Sequence, residues 1–132
     1  MNLIGARKIA LSSAASALLS AAYYALSLVG LQRCEEVKAL MRKMMPVAKR
    51  VLGESHRITL TMRKFYAVAL VIDDSSALDD LREAVTTVED AERIARRVFG
   101  GAHPLTGELE RQLQLSRDSL RVAARNQARP KI

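Results

Sequence analysis

Ten residues in the middle of the chain, RVLGESHRIT (Arg50 to Thr59), return 47 positions later as RVFGGAHPLT (Arg97 to Thr106). A period of this length marks a repeat architecture and constrains the fold before any single element is considered. At the same offset Glu36 matches Glu83 and Ala48 matches Ala95, while Gly53, His56 and Thr59 match Gly100, His103 and Thr106. Upstream the offset becomes 42, pairing Leu18 with Leu60, Tyr24-Ala25 with Tyr66-Ala67, and Leu28 with Leu70. A five-residue insertion around IDDSSAL reconciles the two. The chain therefore reads as a 42-residue unit written twice, followed by a final segment that matches less well, with Gln114 and Arg117 where Ala67 and Leu70 stand.

The unit is helical. From Glu35 onward apolar residues recur with the 3.6-residue period. Val37, Leu40, Met41, Met44, Ala48, Val51 and Leu52 form one stripe, with Lys38, Arg42, Lys43 and Lys49 opposite. Pro46 falls inside this helix and should bend it, and Gly53 closes it. A second stripe over Thr59–Ile72 buries Leu60, Phe65, Tyr66, Ala69 and Leu70. A third helix is expected from Ser76, where Ser76 with Asp79 and Asp80 with Glu83 offer N-terminal capping, up to the stop at Gly100. A fourth opens at Pro104, a favoured first helical residue, and carries Leu105, Leu109, Leu113 and Leu120. With an N-terminal run this gives five helices. Three prolines and six glycines are too few for the turns of a β-sandwich, and 132 residues suffice for one domain.

Residues 1–34 contain no acid, carry Arg7, Lys8 and Arg33, and include the run Ile9–Leu31. About 20 apolar residues can span a bilayer, and a positive, serine-rich, acid-free start also suits a targeting segment. Five serines and many alanines dilute the run. A helix buried on both sides is the leading expectation, with residues 1–31 as membrane anchor or targeting address the alternative.

Catalytic and metal chemistry find no support. His56 and His103 have no second ligand at metal spacing and are expected to pack at the helix junctions, helping to satisfy the orphan amides there. The single Cys34 excludes an intramolecular disulfide and a CxxC site, and reads as a small residue near a helix start. Adjacent carboxylates (Glu35/Glu36, Asp73/Asp74, Asp79/Asp80, Glu89/Asp90) point different ways on a helix and serve as caps and solvated groups. Gly100-Gly101 is not followed by a phosphate-loop lysine. Met41, Met44, Met45 and Met62 read as adaptable core, the alternative being an exposed face for a partner helix. The reading is of a non-enzyme without cofactor. The net charge of +7 is scattered, in doublets such as Arg63-Lys64 and Arg96-Arg97 and in the tail ARNQARPKI. Solvated helix faces account for that pattern better than nucleic acid does.

The two blocks YALSL (Tyr24–Leu28) and YAVAL (Tyr66–Leu70), Glu36-Val37 and Glu83-Ala84 at the helix starts, and the junctions VLGESHRIT and VFGGAHPLT resemble the tetratricopeptide repeat of the kinesin light chain type. That resemblance covers about residues 15–110. It implies a right-handed α-solenoid of antiparallel helix pairs, about two and a half units. One domain would span 1–126, with unit one at 11–53, unit two at 55–100, a capping helix at 104–126 and a basic tail at 127–132. It also implies a cytoplasmic protein–protein interaction scaffold that binds an acidic peptide or helix of a partner. Where the family carries asparagines before the apolar block, this chain has Ala22-Tyr23 and Lys64-Phe65, and Arg57 replaces the first junction proline. Helix phase together with the resemblance points to Tyr23, Arg63 and Lys64 as partner-binding residues. So short an array also implies self-association or continuation into further units.

Overall fold

The computed structural model describes residues 3–129, all of whose regular structure is α-helical: α1 (Leu3–Gly30), α2 (Cys34–Leu52), α3 (Arg57–Ile72), α4 (Leu78–Phe99) and α5 (Pro104–Ala128). Residues 1 and 2 of the candidate address segment, and 130–132 of the expected tail, lie outside the described residues.

The repeated phrase builds the same corner twice. Gly53 and Gly100 end α2 and α4 with φ of +94° and +89°, a conformation L side chains rarely adopt, and their N–H groups bond the carbonyls of Lys49 and Arg96. His56 and His103 then cap α3 and α5: each Nδ1 accepts the backbone N–H two residues on, Ile58 and Leu105, at 3.1 Å. Such side-chain caps are worth about 1 kcal/mol relative to alanine. The buried hydroxyls of Thr59 and Thr106 reach back to the end of the preceding helix, donating to the Ala48 carbonyl at 3.4 Å and the Gly100 carbonyl at 2.8 Å.

The remaining boundaries depart slightly from expectation. Helix α4 begins at Leu78, with the Asp80 carboxylate accepting the Ala77 N–H at 3.3 Å. Ser76 is not its cap, because its hydroxyl turns back to the Leu70 carbonyl at 2.7 Å and closes α3 instead. The polar sequence after residue 126 does not stop α5, which runs to Ala128, and Pro46 lies inside an uninterrupted α2.

The internal repeat reappears in burial. In α2, Cys34, Val37, Met41 and Ala48 are buried, and 47 residues on so are Leu81, Ala84, Val88 and Ala95 of α4. Helix α3 is buried on two sides. Leu60, Ala67 and Leu70 make one side, matching buried Leu18, Ala25 and Leu28 of α1. Ile58, Thr59, Met62, Tyr66 and Ala69 make the other, matching buried Leu105, Thr106, Leu109, Leu113 and Ser116 of α5. Gln114 and Arg117 of α5 correspond to the first side and are exposed, which is why the last segment matches poorly in sequence.

Helix α3 contacts all four others, α1 and α5 flank it, and α2 and α4 pack between successive members of that row. Helices α2 and α4 stand apart, with no Cα–Cα approach within 8 Å among the described residues. Met41 and Met62 are fully buried and Met44 and Met45 pack against the core, so the methionines fill space between the helices.

Two expectations are corrected. The N-terminal run is not buried on both sides: only 17% of the apolar window in Ile4–Gly30 is buried, and Ile4, Ile9 and Leu11 are exposed. At ~1.5 Å per residue α1 is about 42 Å long against about 28 Å for α2, so its first half outruns its neighbours. Nor is Lys38 on a solvated face. It is 3% exposed, and its Nζ meets Asp73 Oδ2 at 2.6 Å, Glu35 Oε1 at 3.4 Å and Asp80 Oδ2 at 3.9 Å. Burial opposes its charge, but Asp73 and Glu35 outweigh that and hold the lysine above its ordinary value. Beside it the fully buried Tyr66 accepts Arg42 Nε at 2.9 Å and donates to Glu83 Oε1 at 2.5 Å, tying α3 to both α2 and α4. Burial first, and Glu83 next, push the phenol up to about 12.

Candidate functional site

The row α1–α3–α5 presents one continuous open face. Tyr23, Phe65 and Lys64 sit at its centre because helical spacing aligns positions 19, 23 and 26 of α1 with 61, 64, 65 and 68 of α3. Tyr23 is 55% exposed, and its ring meets Phe65 edge-on with centroids 5.6 Å apart. Lys64 Nζ lies 5.2 Å from the Phe65 ring centroid and pairs with Glu108 Oε2 of α5 at 2.8 Å.

This ion pair divides the face into two clefts. One, of about 510 Å³, lies among Leu19, Tyr23, Ile58, Thr61 and Leu105. The other, of about 400 Å³, lies among Leu26, Val68, Gln112 and Leu115. Arg57, Lys64 and Arg111 line them against the single acid Glu108. The larger cleft is mixed in character and the smaller mainly apolar, and together they carry a positive excess.

The three residues selected from sequence divide between two places. Tyr23 and Lys64 share this face. Arg63 does not: one residue is a 100° turn of the helix, and its side chain enters a separate cleft between α2 and α4. Phe65, expected in the core and at a position where the family carries asparagine, is buried and also lines both clefts of the open face. Glu108 was missed; the spacing Pro104, Glu108, Arg111, Leu115 along α5 continues the α3 stripe and would have located it.

Among the described residues no group of three or more His, Cys, Asp or Glu side chains could hold a metal ion. Both histidines are engaged as helix caps through Nδ1. Cys34 is buried at the start of α2, and burial, with Asp73 next, pushes its thiol up, away from the reactive thiolate. No family model, curated protein or solved structure matches this chain.

Proposed function

We propose that the chain is a non-catalytic protein–protein interaction scaffold. In this reading α1/α2 and α3/α4 are two kinesin light chain-like tetratricopeptide units of a right-handed α-solenoid, with α5 as the capping helix, working in the cytoplasm. The correspondence of buried positions at offsets of 42 and 47 supports the architecture. The observation that carries the function is the open α1–α3–α5 face, where exposed Tyr23 stands over Phe65 beside Lys64. Its partner is an acidic peptide or helix, lying along the row with apolar side chains in the two clefts.

Fluorescence anisotropy with a panel of labelled amphipathic acidic peptides tests this. At least one peptide is expected to bind saturably at physiological salt, and Tyr23→Ala to weaken it about tenfold, as truncation of an aromatic anchor does. Association that is only weak and vanishes with salt would rule the reading out.

A second reading has one observation in its favour. The stretch Ile4–Gly30 is long and apolar enough to cross a membrane, and little of it is buried. Residues 1–31 would then act as a membrane anchor or targeting segment. Flotation with phospholipid vesicles is expected to carry the intact chain upward, and Ile9→Asp with Leu11→Asp to leave it at the bottom. An intact chain that stays with the soluble fraction removes this reading.

A further inference from the structure

The side of the molecule away from the open face holds a cleft of about 420 Å³ between α2 and α4, whose backbones stay more than 8 Å apart among the described residues. Arg63 enters it from α3 with a side chain only 17% exposed. Its guanidinium makes no hydrogen bond to any described residue, and its one ionic partner, Glu54 Oε1, stands at 3.8 Å. No buried side-chain nitrogen among the described residues lacks a partner, so these five N–H donors open onto the cleft, where a ligand's acceptors can reach them.

Glu54 cannot supply them. Lys49 holds the same oxygen at 3.1 Å. The Glu54 carboxyl is kept below its usual range by Lys49 first, then by Arg63 and Arg97. Lys49 and Arg63 thus share one carboxylate, with Arg97 acting on it from farther off, and the surroundings of Glu54 are net positive. Arg42, on the same wall, is engaged with Glu83 at 3.5 Å and Asp80 at 3.8 Å, and Asp90 at the rim is held by Arg93. Thr87 lines the far wall with a hydroxyl that makes no hydrogen bond, and Met45 and Pro46 supply an apolar side.

We propose that this cleft binds a small organic phosphate. Arg63 and Lys49 take the phosphate oxygens, Thr87 donates to one of them, and the organic part lies against Met45 and Pro46. A phosphate monoester carries about −1.5 to −2 charge at pH 7 and three acceptor oxygens, enough to meet Arg63, Lys49 and Thr87 together. The planar fork of arginine bonds such a group through two parallel N–H contacts. The site is on the opposite side from the peptide face and stands independently of it.

The test is titration of the isotope-labelled protein with phenyl phosphate, inorganic phosphate and phenol, followed by NMR. Phenyl phosphate is expected to shift the Arg63 Nε–H and Thr87 signals saturably, at least fivefold more tightly than inorganic phosphate, and phenol not at all. Arg63→Gln should weaken binding at least tenfold and Lys49→Gln about fivefold, whereas Arg82→Gln should change nothing. Should Arg63→Gln fail to fold, the Lys49 variant decides alone. Shifts that do not saturate, or that persist unchanged in Lys49→Gln, overturn the site. Equal affinity for inorganic phosphate overturns the organic ligand.

Discussion

Asp73→Ala is expected to destabilise the protein by about 3 kcal/mol, because it leaves the buried Lys38 ammonium without its main partner. Glu35 at 3.4 Å and Asp80 at 3.9 Å remain, which places the loss at the lower end of the range for such pairs. Guanidinium unfolding at pH 7 measures it. Adding Lys38→Met should recover part of the loss, since the unpaired charge is then gone; equal stabilities of the single and double variants would refute this. The same pair sets an acid limit. Lys38 first, then Ser75, hold the Asp73 carboxyl at about 2 against its ordinary 3.8. A carboxyl lowered by folding stabilises the protein fully above its unfolded value. This contribution, about 2 kcal/mol, is therefore complete above about pH 4 and is lost as pH falls through about 2. In Asp73→Ala the acid limb of the stability profile should be shallower.

Tyr66→Ala is expected to cost about 4 kcal/mol, the loss of a fully buried aromatic ring together with the cavity it leaves. Tyr24→Ala, at the matching position of the first unit, should change stability by less than about 0.5 kcal/mol. Tyr24 is 60% exposed and Tyr66 fully buried, although both stand in nearly the same phrase. Tyr66→Phe isolates the hydroxyl that joins Arg42 to Glu83 and should cost about 1 kcal/mol. Thermal or denaturant unfolding of the three variants checks the ranking. Equal effects at positions 24 and 66 would mean that another helix covers α1 in solution.

The comparison of these tyrosines marks what could be read from the sequence. Helix number and the glycine–histidine–threonine corners were legible because they rest on local spacing and on glycines that must adopt positive φ. The burial of Lys38 was not. Its partner Asp73 lies 35 positions away in a segment that reads as a helix breaker, and periodicity reports only which face a residue is on. The doublet Arg63-Lys64 reads as one basic patch, yet the helix turn sends its members to opposite sides. Tyr23 and Lys64 of the open face were found from helix phase and resemblance together, whereas Glu108 required knowing that α5 lines up beside α3. The exposure of α1 was hidden for a related reason: an apolar stripe predicts burial only where a neighbour is long enough to cover it.

The central place of α3 has a consequence for how the molecule opens. In a long array each unit touches only its neighbours, so ends can melt while the middle holds. Here a single 16-residue helix contacts all the others, and every corner and ion network described above joins onto it or lies beside it. Fraying is expected first in the exposed half of α1 and the last turns of α5. Any excursion that exposes α3 dismantles the core at once, so limited proteolysis is expected to meet one cooperative unit with no stable half-folded intermediate.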